Sequence, residues 1–225
     1  MMEYTLVRSK RKTAAIHVHE SGVEVRAPMK MPKRDIDRFV ASKEKWITDK
    51  LGMLRNRAKL REAFAPTYGD SVIYRGIECP ISAKSSNYIG YDDGSFYMPP
   101  DLTPEQIKTA CVQIYKLLAK RDLTAKTCDF AIQMNLKPSG VKINSAKTRW
   151  GSCSAKKSIN FSWRLIMADD DVIDYVVVHE LAHLAELNHS ARFWSIVESV
   201  LPDFAERKTR LRDLNERLAN ENWDE

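Results

Sequence analysis

The chain begins with three short runs in which apolar and polar residues alternate with a period of two. Because these runs are rich in β-branched residues, they predict two or three antiparallel strands. A helical period of apolar positions follows over Lys33–Ala63, and the Met31-Pro32 step favours a helix start there. The predicted strands are Tyr4–Ser9, Thr13–His19 and Gly22–Ala27.

Strand patterns return in the next stretch and lead into a second long helix. Thr103 and Gln106 form the pattern of a capping box, which predicts a helix from this point to about Leu136. The predicted strand regions before it are Gly69–Pro80 and Tyr88–Met98, with hairpin turns at Arg75-Gly76 and at Asp92-Asp93-Gly94.

The C-terminal part contains a strand pair followed by three helical patterns. Residues 140–163 alternate like a two-stranded hairpin with a loop around Thr148–Lys157. Its second strand, Asn160–Trp163, is a candidate edge along which an extended peptide pairs. The predicted helices are Val172–Leu187, a helix after the N-cap Ser190, and Phe204–Glu221.

Together these elements predict an α+β fold. We expect a β-rich region with one long helix at residues 1–100 and a catalytic region at residues 101–225, unless the two form one continuous domain. Of the 225 residues, 44% are hydrophobic and 29% are charged, as in a soluble globular protein. No apolar run approaches the ~20 residues that span a membrane, and the N-terminus lacks the apolar stretch of a secretory signal, so a cytoplasmic location is expected.

The charges indicate candidate partners, and the cysteines indicate the redox state of the thiols. The formal charge of +6 is concentrated near the N-terminus, at positions 8–12 and 30–34. Such a basic cluster indicates either a solvated face or a surface that attracts phosphates or nucleic acid. Four scattered cysteines without a C-x-x-C pair are typical of reduced thiols, and not of a disulfide framework or a zinc ribbon: Cys79, Cys111, Cys128 and Cys153.

The candidate metal ligands and the candidate general base lie in one stretch, the sequence HELAH at residues 179–183. Positions i and i+4 of a helix lie on one face, so the imidazoles of His179 and His183 can reach one metal ion. Glu180 adjoins the first of them and can hold the attacking water without binding the ion itself. This pattern predicts a metal hydrolase in which the metal makes water acidic and Glu180 acts as the general base.

Catalytic zinc usually takes three protein ligands. His189 is the predicted third ligand, because Asn188 can leave right-handed helical geometry and let the chain turn back; Glu186 is the alternative. Three of the five histidines fall within eleven residues beside an apolar run, and buried imidazoles without partners would cost free energy. A metal site therefore explains the cluster better than packing does. The other two, His17 and His19, alternate on a predicted strand and are more typical of plain surface.

Two motifs give this chain a resemblance to a known family. TRWGSCS at Thr148–Ser154 and VIDYVVVHELAHLAELNHSARFW at Val172–Trp194, with RSKRKT and VRAP near the N-terminus, are similar to the YgjP-like metallopeptidase family, which is related to the SprT-like and WLM groups. The resemblance covers most of the chain. Metzincins share the same histidine offsets but carry Gly at the position of Glu186, which favours the YgjP-like assignment.

The resemblance implies a zincin-like α+β fold with an HExxH active-site helix. It also implies that His179, His183 and His189 bind Zn2+ and that Glu180 is the base. Peptide hydrolysis is the favoured activity, because the helix motif is commoner in peptidases. Arg149 or Tyr175 is then expected to stabilise the developing oxyanion.

The alternative activity is that of a nucleoside triphosphate pyrophosphohydrolase acting on UTP, a reaction linked to this family. It needs several cations to neutralise the phosphates. The loop that carries Arg149 and Trp150 indicates either hairpin geometry alone or an arginine and a tryptophan presented to the substrate, which is a peptide or a nucleotide. The candidate phosphate-binding cations are Arg149, Lys147, Lys156, Lys157 and Arg192.

A third alternative is a zinc-stabilised nucleic-acid-binding module, which the basic N-terminus supports. A structural zinc site is normally closed by a fourth Cys or His, which this region does not offer, and Glu180 would have no role in it. Nucleic acid therefore remains a further candidate partner, and no membrane partner is expected.

Overall fold

The computed structural model describes residues 2–224 and confirms the predicted α+β class. By their contacts the residues form two units. One extends to Phe64 and includes Leu218–Asn222, and the other comprises Ala65–Arg217 and resumes at Trp223. The strands between residues 71 and 98 belong to the second of these units, whereas the sequence analysis grouped them with the N-terminal region. The assignment of a catalytic region at residues 101–225 stays a prediction.

The first unit contains a sheet of three short strands: β1 (Thr5–Ser9), β2 (Ala15–His19) and β3 (Gly22–Pro28). β3 takes the centre, because its alternate residues Val23, Val25 and Ala27 are all buried. β2 pairs antiparallel with β3 but β1 pairs parallel with it, so the prediction of antiparallel strands throughout is wrong. The basic segment after β1 carries the chain to the opposite edge, which lets Leu6 and Ile16 both flank Val25.

Two helices complete the core of this unit: α1 (Lys33–Ala41) and α2 (Glu44–Ala63). The sequence predicted one helix over this range, but the chain bends between them. The last turn of α1 tightens, because Lys43 N–H donates to the Val40 carbonyl three residues back and the Ser42 hydroxyl donates to the Phe39 carbonyl. The regular hydrogen-bond ladder therefore ends there.

The second unit begins with a four-stranded sheet of order β4-β5-β7-β6: β4 (Ser71–Tyr74), β5 (Ile77–Ala83), β6 (Gly90–Asp92) and β7 (Ser95–Met98). Both predicted hairpin turns are confirmed, since Arg75-Gly76 and Asp93-Gly94 have positive φ at both positions, as a two-residue hairpin turn requires. Gly76 also lies so close to the Asp169 carboxylate that any side chain at position 76 would clash with it.

Helix α3 (Pro104–Gln133) is the longest element of the second unit. Its capping box is confirmed, because Gln106 N–H donates to Thr103 Oγ1 at 3.3 Å and Thr103 N–H donates to Gln106 Oε1 at 2.8 Å. The four cysteines are free thiols, as predicted. Within residues 2–224, no helix has both the length and the apolar character needed to cross a membrane. The cytoplasmic location stays a prediction.

A further sheet in this unit contains three strands: β8 (Gly140–Asn144), β9 (Gly151–Cys153) and β10 (Ser158–Ser162). β8 pairs parallel and β9 antiparallel with β10, so the predicted two-stranded hairpin is in fact a three-stranded sheet. β10 is the central strand, because Ile159 and Phe161 are fully buried. The predicted edge at Asn160–Trp163 is therefore wrong, and the edge strands are β8 and β9.

The remaining elements are a 3₁₀ helix at Trp163–Met167 and three helices: α4 (Asp170–Ala182), α5 (Ala191–Val200) and α6 (Phe204–Leu218). Helix α4 ends at the C-cap His183, one turn earlier than the predicted end at Leu187. Ser190 is the N-cap of α5 as predicted, and its hydroxyl accepts from Phe193 N–H at 3.3 Å.

Candidate metal centre

Helix α4 carries most of the candidate centre and is buried on nearly all sides, which explains its apolar sequence. It packs against α3, α5 and the edge strand β9. In this apolar setting Glu180 is buried, with only 6% of its surface exposed. A carboxyl group in such surroundings costs free energy. Its presence therefore indicates a function.

The three predicted metal ligands lie together. The candidate ligand atoms of His179, His183 and His189 are all within 4.8 Å of one another. The closest pair is the two Nε2 atoms of His179 and His189, 3.1 Å apart. His17 and His19 stack on β2 with ring centroids 6.4 Å apart and do not belong to the cluster. Among residues 2–224, the three clustered histidines are the only such group with the ligand types and spacing to hold a metal ion.

The turn after α4 brings His189 back toward the helix. The N–H groups of residues 184 and 185 donate to carbonyls three residues earlier, which tightens the last turn. Glu186, the alternative ligand, is not part of the cluster, and its carboxylate lies 4.0 Å from the guanidinium of Arg192. The backbone carbonyl of Glu186 lies 3.2 Å from His183 Nδ1. Donation of Nδ1–H to this carbonyl leaves His183 Nε2 available to a metal.

Burial favours the neutral form of two of the imidazoles, those of His179 and His183. It lowers the pKa of His179 to about 3, and the charges of His183, His189 and Lys208 act in the same direction. Burial also lowers the pKa of His183. Nδ1 of His179 is buried and has no hydrogen-bond partner in the described residues. Imidazole nitrogens offer lone pairs, and those of three histidines converge here, so the site fits a metal ion.

Glu180 lies beside the cluster and against the backbone of β9. A Cβ at Gly151 would sit 2.6 Å from both Cγ and Oε1 of Glu180, so only glycine fits there without displacing the carboxyl group. Burial raises the pKa of Glu180 to about 7, and the charge of Arg149 opposes this shift. A carboxyl group that titrates near neutral pH is suited to accept and release a proton.

Three other predicted residues lie close to the histidines or to Glu180. The Tyr175 ring is buried and makes a T-shaped contact with His179, with centroids 5.8 Å apart; burial raises its pKa. Arg149 is exposed just before β9. Trp150 follows it and is half-buried. The catalytic and substrate-binding roles of these residues stay predictions.

The remaining predicted cations do not gather around Glu180. Lys147 pairs with Asp224 at 2.7 Å. Arg192 has a side chain that is 78% exposed and faces Glu186. Lys156 and Lys157 lie in the exposed turn between β9 and β10.

Sequence reasoning missed two aromatic residues and a lysine at this site, which are Phe193, Trp194 and Lys208. Phe193 lies against all three histidines, with ring centroids 4.6 to 4.9 Å apart, and Trp194 lies within 5.9 Å of two of them. Lys208 of α6 places Nζ 5.0 Å from the Trp194 ring centroid. The available signal was the Phe-Trp pair shortly after the N-cap Ser190, because the first turn of that helix follows directly on the third histidine.

Comparison with known proteins gives a matching family and similar solved structures, which include those of two metallopeptidase zymogens. The model of a family described as "YgjP-like, metallopeptidase domain" matches residues 12–214, a range that includes the three histidines and Glu180. No curated protein gives a significant match. The crystal structure of the metallopeptidase zymogen abylysin of Pyrococcus abyssi is 24% identical and covers 40% of this chain and 92% of its own, with a TM-score of 0.38. That of the zymogen jannalysin of Methanocaldococcus jannaschii is 20% identical and covers 41% and 95%, also with a TM-score of 0.38.

Proposed function

Because the chain belongs to the YgjP-like metallopeptidase-domain family, we propose that it is a zinc-dependent peptidase with Glu180 as general base. In this proposal His179, His183 and His189 bind the metal. The observation that carries it is the meeting of three imidazoles beside a buried carboxyl group. A closed structural site would normally have a fourth Cys or His, and none joins the cluster within residues 2–224.

Zinc suits the donors that are present. Three imidazole nitrogens are a ligand set of catalytic zinc, which leaves one coordination position open. When bound, zinc supplies a Lewis acid that polarises a carbonyl and makes water more acidic. The contact of His183 Nδ1 with the Glu186 carbonyl fixes the tautomer and the orientation of that ring.

Glu180 moves the proton in this proposal. Its carboxylate accepts a proton from the attacking water and afterwards donates it to the leaving amine. A pKa of about 7 suits both steps, since the group is neither a strong acid nor a strong base at neutral pH. Contact with Gly151 holds the side chain against β9.

Two donors and one strand are available to the substrate. Arg149 forms no ion pair in the described residues, and Tyr175 O–H stays neutral because burial raises its pKa; either can donate to the developing oxyanion. β9 is the edge strand of its sheet that contacts α4, so an extended peptide that pairs with its outer side would lie near the metal centre. We therefore assign to β9 the role that the sequence analysis gave to Asn160–Trp163.

Nucleotide hydrolysis is the second candidate, supported by the uncompensated cations Arg149 and Lys208 near the site. It ranks below peptide hydrolysis because Lys147 and Arg192 are engaged by carboxylates. Binding to nucleic acid has a separate support. The unit that extends to Phe64 contains sixteen Lys and Arg against nine Asp and Glu, a charge that attracts polyanions.

The proposal is tested by comparing zinc-loaded wild type with Glu180→Gln. The assay measures the turnover of a peptide library and of nucleoside triphosphates by each protein. We expect peptide cleavage that falls roughly 10³-fold in the variant with zinc content unchanged, because the change removes a base and not a ligand. Nucleotide hydrolysis with the same dependence, and no peptide cleavage, would establish the second candidate instead. Loss of zinc from Glu180→Gln would contradict its assignment as the base.

A further inference from the structure

Helix α6 presents one lysine to the metal centre. Phe204 at its start stacks on Trp194 of α5, with ring centroids 5.3 Å apart and planes inclined by 18°. One turn later Lys208 places Nζ 5.0 Å from the centroid of the same indole. The Trp194 ring is itself 5.9 Å from His179 and 5.8 Å from His189. Lys208 therefore contacts a ring that borders the histidine cluster.

Lys208 differs from the other basic residues of α6 because it has no carboxylate partner among residues 2–224. Each arginine of this helix forms an ion pair, whereas Lys208 forms none and is exposed. The pairs are Arg207 with Asp203, Arg210 with Asp169 and Asp171, Arg212 with Asp213, and Arg217 with Glu78. Among the described residues, the one basic side chain of α6 without an ion pair is thus the one next to the metal centre.

A second cation lies near the same site. Arg149 is exposed just before β9, its charge acts on Glu180, and it forms no ion pair in the described residues. Two cations without a carboxylate partner, Lys208 and Arg149, therefore favour the approach of an anion to this site.

We propose that Lys208 binds an anionic group of the substrate, either a carboxylate or a phosphate, at the rim of the metal centre. This inference rests on the proposed function, because it assigns a substrate feature to the same site. An ammonium group forms strong, charge-assisted hydrogen bonds with both anions. Contact with the Trp194 ring holds the lysine stem and charge in place, so less side-chain entropy is lost when the anion binds.

A purely structural role for Lys208 gives different expectations. In that case the lysine would only support the packing of α6 on α5 through its contact with Trp194. Lys208→Met keeps an unbranched apolar side chain against the indole but removes the charge, and Lys208→Arg keeps the charge. Arg212→Met is the matched control, because Arg212 lies one turn further along α6 and is also exposed.

The experiment measures the binding of inorganic phosphate and of succinate to zinc-loaded wild type and to these three variants by calorimetry. Direct contact of the anion with zinc is common to all four proteins, so differences report on the residue changed. We expect Lys208→Met to weaken the binding of at least one anion about 10-fold and Lys208→Arg to restore most of it. Arg212→Met should stay within about twofold of wild type. A larger loss for phosphate indicates a phosphorylated substrate, and a larger loss for succinate a carboxylate.

Equal binding by wild type and Lys208→Met, equal losses in Lys208→Met and Arg212→Met, or no binding to wild type at millimolar anion would each overturn the inference. Binding needs no turnover, so this result is separate from the proposed function. A protein that cleaves no peptide can still bind anions through Lys208. A peptidase whose anion binding is independent of Lys208 keeps its proposed function and loses only this inference.

Discussion

The two ends of helix α4 differ in how their polar side chains are compensated. At the N-terminal end each of three consecutive aspartates meets an arginine: Arg75 donates to Asp170, and Arg210 donates to both Asp169 and Asp171. At the C-terminal end the three histidines of the metal centre face one another, and no carboxylate joins them within residues 2–224.

This difference separates stability from function. Carboxylates at a helix N-terminus interact favourably with the helix dipole and with arginines, so these groups stabilise the folded chain by themselves. The histidines instead bring their candidate ligand atoms within 4.8 Å of one another, so their lone pairs converge. That arrangement is unfavourable until a metal binds. Changes at the first end should therefore alter unfolding, and changes at the second should alter metal binding and turnover.

The largest expected effect comes from removing the third histidine. His189→Ala should weaken zinc binding by more than about 100-fold, since even the loss of an outer-shell partner costs ~10- to 100-fold. Competition with a chromophoric chelator measures this affinity. His19→Ala removes an exposed histidine of β2 and should leave zinc binding unchanged. Full zinc affinity in His189→Ala would mean that another residue, such as Glu186, is the third ligand.

Gly151→Ala tests the functional end without touching a ligand. The new Cβ would meet Glu180 at 2.6 Å, so the carboxyl group must shift. A displacement of about 1 Å can cost ~100-fold in rate, and kcat should fall by about that factor while zinc content is retained. Gly140→Ala is the control, because nothing lies within 4 Å of its added Cβ. Unchanged kcat in Gly151→Ala would show that turnover does not depend on the present position of Glu180.

The functional end was readable from the sequence because its signals are local. The i, i+4 spacing of His179 and His183 places both on one helix face whatever the tertiary structure, and the N-cap Ser190 needs only its own helix. The aspartates at the other end were predictable as helix N-terminal residues, but their partners were not. Arg75 is 95 positions from Asp170, and the second arginine is 41 positions from Asp169. Periodicity carries no information on pairs that only the tertiary fold brings together.

Strand order was unpredictable for the same reason. The alternation predicted two strands on either side of a loop, which are β8 and β10, but it did not predict β9 inside that loop, and which strand is central depends on what covers each face. β10 lies between β8 and β9 and buries Ile159 and Phe161. In the N-terminal sheet, β1 and β2 lie at opposite edges, and β1 pairs parallel with the central strand β3. The sequence did not predict Lys208 as a residue of the site, because its position at the metal centre depends on how α6 packs on Trp194.

At the stabilising end, Arg210→Ala should lower the free energy of unfolding by about 1 kcal/mol, because it removes two ion pairs at a helix N-terminus. Urea unfolding at saturating zinc measures the change. Arg212→Ala, which removes a more exposed pair with Asp213, should stay within about 0.5 kcal/mol of wild type. Turnover of Arg210→Ala at saturating zinc should be close to that of wild type. A loss of activity without a loss of stability would contradict the proposed separation of the two ends.

The smallest expected effect is a pH dependence at the same end. Hydrogen bonding from Arg75 lowers the pKa of Asp170, which is about 3.9 in an unfolded chain. A carboxyl group whose pKa is lower in the folded state adds stability above its unfolded pKa and loses it as the pH falls through its folded pKa. The difference in unfolding free energy between wild type and Arg75→Met should therefore be full at neutral pH and shrink below about pH 4.

At neutral pH the difference in unfolding free energy between wild type and Arg75→Met should be about 0.5 kcal/mol, because the Asp170 side chain is 48% exposed and solvent screens the pair. The control is the same Arg75→Met change in an Asp170→Asn background, where the difference should not vary with pH. If it still varies there, another carboxyl group is responsible. If it does not vary in the wild-type background, Arg75 does not set the pKa of Asp170, and Arg210 and Lys126 remain as the cations that stabilise this end.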